Sequence, residues 1–95
     1  MEREEYGFHN YTEELVKDVL EEMLGKRDDI CKCSLCWADM ASLALNQLEP
    51  KYVTTQKGEI YSRLDEFKFQ VKADVIINVT KAIEKVKARP RHPQE

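Results

Sequence analysis

From Ile60 to Val86 the chain repeats one apolar period without interruption. Ile60, Leu64, Phe67, Val71, Val75, Val79, Ala82, Ile83 and Val86 follow one another at three- and four-residue steps. The spacing predicts one helix running from Glu59 to Lys87, on the order of 40 Å long. That is longer than a chain of 95 residues needs to cover its own core. The β-branched stretch Asp74 to Val79 would also suit a strand or a helix break, but the helical period runs through it. A second apolar set, Tyr61, Phe69, Ile76 and Ile77, lies off the main stripe. Contacts on two faces of one helix predict a self-association surface.

The remainder of the chain reads as shorter helices. Tyr11, Leu15, Val16, Val19, Leu20, Met23 and Leu24 recur at helical spacing, with Asn10 or Thr12 as N-cap and Gly25 as terminator. Between Ser34, a further N-cap candidate, and Leu48 the only formal charge is Asp39, so this segment reads as a helix buried on almost every side. Pro50 stops it. Lys51-Tyr52-Val53-Thr54-Thr55 follows as an extended arm, and Lys57-Gly58 marks a turn. With three glycines, three prolines and 35% charged residues, the expected class is all-α: one helical domain over residues 10–88, a loose leader at 1–9 and a disordered tail at 89–95.

A net charge of −3 lacks the basic excess that binding to a phosphate backbone requires. The local density of Lys81, Lys85, Lys87, Arg89 and Arg91 reads as a solvated helix end that complements the helix dipole. No stretch approaches the ~20 apolar residues of a membrane span, and Met1-Glu2-Arg3-Glu4-Glu5 offers no signal-peptide pattern, so a cytoplasmic protein is expected.

Cys31-Lys32-Cys33-Ser34-Leu35-Cys36 is the one constellation with a chemical reading. Three thiols within six residues at a loop-to-helix junction can converge on one ion, and a helix N-terminus eases their deprotonation. Ordinary buried thiols and redox exchange remain open as alternatives. Three cysteines leave a tetrahedral site one ligand short. Asp39, one turn beyond Cys36, is the nearest candidate, while His9 and His92 reach only if the chain ends fold over. A water or a group from a second subunit can also fill the position.

Taken in order, the CxCxxC segment Cys31–Cys36, then Asp39, then the run from Ala44 through Pro50 to Thr54, and then Gly58 resemble the ComFB family of late-competence proteins. The resemblance implies a compact helical homodimer with zinc held by Cys31, Cys33 and Cys36 of each subunit. It also implies a regulatory receptor for a cyclic dinucleotide second messenger (c-di-AMP or c-di-GMP), acting on a downstream protein that the sequence does not identify. For such a ligand Tyr52, Thr54, Lys57 and Tyr61 are the candidate contacts, because aromatic faces and basic or hydroxyl donors suit purines and phosphates. A zinc-stabilised interaction module without a nucleotide is the alternative. Catalysis is not expected: the chain has no Gly-rich phosphate loop and no HExxH, and its two histidines lie in the expected leader and tail.

Overall fold

The computed structural model describes residues 6–56 and 65–92. Five elements follow in order: β1 (Tyr6–Asn10), α1 (Tyr11–Gly25), α2 (Ser34–Asn46), β2 (Tyr52–Gln56) and α3 (Asp65–Ala88). Three helices enclose one core. Val16, Val19, Leu20 and Leu24 of α1 meet Cys36, Met40, Ala41 and Ala44 of α2. The stripe Val71, Val75, Val79, Ala82, Ile83 and Val86 of α3 closes over both. The long periodic segment is one unbroken helix through Asp74–Val79, as its spacing predicts, and the part of it before Asp65 lies outside the described residues.

The all-α expectation is corrected by a two-stranded antiparallel sheet in which Phe8 faces Thr54 and Asn10 faces Tyr52. The extended arm is β2. Its partner β1 overlaps the expected leader and carries no hydrophobic signature, since Phe8 is 75% exposed. Backbone pairing between segments more than forty residues apart makes this strand, and local patterning does not register such pairing.

Asn10 joins the sheet to the bundle. Its Oδ1 accepts from the Thr12 N–H at 3.1 Å, capping α1, and from the Lys51 N–H at 3.0 Å. Thr12, the other cap candidate, is buried instead, and its hydroxyl donates to the Glu49 carbonyl at 2.9 Å.

The α2 helix departs from the expected all-round burial. Cys36, Met40, Ala41 and Ala44 are enclosed, but Leu35 and Leu43 are each 38% exposed. The exposed set on α3 includes Phe69, Ile76 and Ile77, with Phe69 at 77%. Tyr61 lies outside the described residues.

Candidate metal centre

Local chemistry at the start of α2 orders the cysteine segment. Cys33, not Ser34, is the N-cap: its backbone is extended and its Sγ accepts the Cys36 N–H at 3.4 Å. The sulfur does what a Ser or Asp oxygen does at other helix starts. The Cys33 carbonyl in turn accepts the Trp37 N–H at 2.9 Å. Cys36 thereby points into the core at 1% exposure, while Cys31 and Cys33 stay on the surface.

An ion network fixes the loop before Cys31. Arg27 grips Asp29 with two bonds of 2.8 and 3.1 Å and Glu84 of α3 with one of 2.8 Å, and Lys87 donates to Asp29 at 2.7 Å. Arg27 and Lys87 together hold the Asp29 carboxyl far below the usual carboxylate range. The loop carrying the cysteines is thus tied to the last turns of α3.

Beyond α3, Pro90 prevents helix continuation and the chain turns back over α2. His92 Nε2 comes within 3.3 Å of Cys31 Sγ and 3.2 Å of Cys36 Sγ. The donor atoms of Cys31, Cys33, Cys36 and His92 all lie within 4.8 Å of one another. Zinc–sulfur bonds of about 2.3 Å at tetrahedral angles place sulfurs about 3.8 Å apart, so this spacing suits a four-coordinate ion. The group is a Cys3His set that could bind a metal. Its protonation without a cation is divided. Burial, then the neighbouring sulfurs, push Cys36 up to about 12, while the Cys33 N–H and the other two sulfurs lower Cys31.

The fourth donor brought to the three sulfurs is His92, not the nearest sequence candidate. Asp39 is engaged elsewhere: its two carboxylate oxygens accept from Arg91 Nε and Nη2, both at 2.8 Å, and this pairing lowers its pKa. His92 meets the condition set for it, because residues 89–92 of the expected tail fold back. His9 does not, and its Nε2 lies 3.1 Å from a Glu14 oxygen on the sheet side. The chance to see His92 in the sequence lay in the complementary pair Asp39 and Arg91, one residue away from it.

The expected nucleotide contacts are only partly placed. Tyr52 and Thr54 are exposed on β2, where Tyr52 meets Phe8 edge-on with ring centroids 6.0 Å apart. Lys57 and Tyr61 lie outside the described residues. A cleft of about 440 Å³ at the other end of the helices is lined by Thr12, Gln47, Lys51 and Asn78, together with the carboxylates of Glu49 and Asp74. Neither Tyr52 nor Thr54 lines it.

These features define a class: a small, mostly helical protein with a two-stranded sheet and a Cys3His cluster where the loop, α2 and the C-terminal segment meet. The family model of the late competence development protein ComFB matches residues 9–90, and the chain belongs to the ComFB family. Over 56 residues it is 30% identical to competence protein ComFB of Bacillus subtilis (strain 168). That match spans 59% of this chain and 57% of the relative. A solved structure of the late competence protein ComFB from Bacillus subtilis superposes with a TM-score of 0.66 at 24% identity, covering 88% of this chain and 92% of that one. The fold is shared. Among the described residues no helix is long and apolar enough to cross a membrane.

Proposed function

We propose that this chain is a non-enzymatic, cytoplasmic regulatory protein of competence or a related signalling process, whose fold is closed by zinc and which works as a homodimer through binding. The observation that carries the reading is the Cys3His cluster, which gathers donors from three separate parts of the chain. Cys31, Cys33, Cys36 and His92 would hold the ion. Bound there, zinc supplies a cross-link among three thiolates and an imidazole, the role of a closed structural site with no open position for substrate. A short chain with a modest core gains from such a staple. The exposed Phe69, Ile76 and Ile77 on α3, with Leu35 and Leu43 on α2, support the dimer, because apolar side chains displayed on two helices favour burial against a second copy.

The finer reading is a cyclic dinucleotide receptor. The exposed aromatic pair Phe8 and Tyr52, beside Thr54 on the β-arm, favours it by offering ring faces and a hydroxyl outside the core. Titration calorimetry of the zinc-analysed protein with c-di-AMP and c-di-GMP, with linear dinucleotides as controls, tests it. Selective heat at micromolar concentration or below is expected. A folded, zinc-loaded protein that gives neither heat nor thermal shift with either compound contradicts the receptor and leaves the zinc-stabilised interaction module.

A further inference from the structure

Adjacent residues of the C-terminal segment engage adjacent turns of one helix. Arg91 takes the Asp39 carboxylate in a two-bond fork, and the next residue, His92, brings Nε2 to 3.2 Å from the sulfur of Cys36, one turn earlier on α2. The Asp39 side chain is 18% exposed and that of Arg91 68%. An ion pair this open stabilises little by itself, because water screens it and two long side chains must be ordered. An imidazole on an unanchored backbone segment is likewise a poor ligand, since that backbone must be ordered before it can bind. The two contacts lie side by side, so each supplies what the other lacks. With the fork formed, His92 is held at high effective concentration over the thiols; with His92 ligated, Arg91 cannot leave Asp39.

We propose that Asp39 and Arg91 are positioning residues for the metal site, forming a clamp that presents His92, and that metal binding in turn locks the C-terminal segment onto α2. The proposal rests on the zinc reading and adds a conformational output to it. Zinc-loaded protein has residues 89–92 docked. Removing the ion leaves the exposed fork and the His92–sulfur contacts without the metal bonds that join them, and the segment then detaches part of the time. Zinc availability is thereby coupled to display of the C-terminal segment and of the α2 surface beneath it.

The Arg91–His92 bond is itself a reporter, being a trypsin site, whereas the preceding Arg89–Pro90 bond resists trypsin. Zinc affinity is measured by competition with a chromophoric chelator, and cleavage after Arg91 by mass spectrometry, on the full chain with and without zinc. Wild type is expected to resist cleavage when loaded and to be cut when stripped. Asp39→Asn keeps the trypsin site and is expected to bind zinc about 10–100-fold more weakly, the range for residues that orient a ligand, with faster cleavage even when loaded. Arg91→Lys, retaining charge but not the fork, is expected to fall between the two. Circular dichroism equal to wild type at saturating zinc separates positioning from misfolding. Unchanged affinity and protection in Asp39→Asn overturn the clamp while leaving the metal site intact. Wild-type affinity in His92→Ala overturns it too, since the clamp then has nothing to present. A folded wild-type chain that takes up no zinc overturns the metal reading and the clamp with it.

Discussion

At Cys36 two demands meet in one side chain: it belongs to the core, and its sulfur lies within reach of the other donors. Cys36→Ala is therefore expected to lose zinc binding by more than about 100-fold, beyond the 10–100-fold typical of residues that only orient a ligand. Metal analysis after gel filtration checks this, and the variant's helical content should then resemble that of stripped wild type. Asp39 gives a pH dependence. Its folded pKa is lowered by Arg91, so its stabilising contribution is present above the unfolded value of about 3.9 and fades as pH falls through the folded value. In zinc-free protein the melting temperature of wild type should exceed that of Asp39→Asn at pH 6, and the two should converge as the pH drops below 4. A gap that does not change with pH contradicts the pairing. At this scale the three cysteines were legible because their spacing is local. His92 was legible only as a conditional candidate, since its position depends on how α3 ends and where Arg91 finds its partner. The Cys33 cap was hidden by Ser34, a commoner capping residue, because only backbone geometry decides between neighbours.

The helices α1 and α3 are legible from their apolar periods, and α2 from a near-continuous apolar run that Pro50 ends. α1 carries the clearest test of packing. Leu20 is fully buried, and Leu20→Ala should cost about 2–5 kcal/mol in urea unfolding of the zinc-loaded protein. Asn10 acts on two elements at once, capping α1 and holding Lys51 before β2. Asn10→Ala should cost about 1–2 kcal/mol, the upper part of the range for a lost N-cap, because the Lys51 N–H loses its acceptor as well. β1 was not legible. Tyr-Gly-Phe-His-Asn has neither apolar alternation on a buried face nor a hairpin turn, and its pairing with β2 is visible only once the helices have brought both together. The near-continuous apolar sequence of α2 predicts all-round burial. Among the described residues its neighbours enclose the side that carries Cys36, Met40, Ala41 and Ala44, and Leu35 and Leu43 stay exposed.

For the whole molecule, the exposed apolar residues of α2 and α3 and the cysteine–histidine cluster are the two features that a lone helical domain does not need. The first predicts association. Sedimentation equilibrium should find wild type dimeric and Ile77→Lys shifted to monomer with unchanged zinc content. Ile77 is 52% exposed, so a lysine there can keep its charge in water without disturbing the core. A dimer unaffected by Ile77→Lys places the interface elsewhere. The second feature carries the central proposal, that the loop, α2 and the C-terminal segment are joined through one ion. X-ray absorption at the zinc edge of the purified full chain tests it most directly. One zinc per chain is expected, with three sulfur neighbours at about 2.3 Å and one nitrogen at about 2.0–2.1 Å. A folded chain without stoichiometric zinc, or a zinc shell dominated by oxygen, contradicts it.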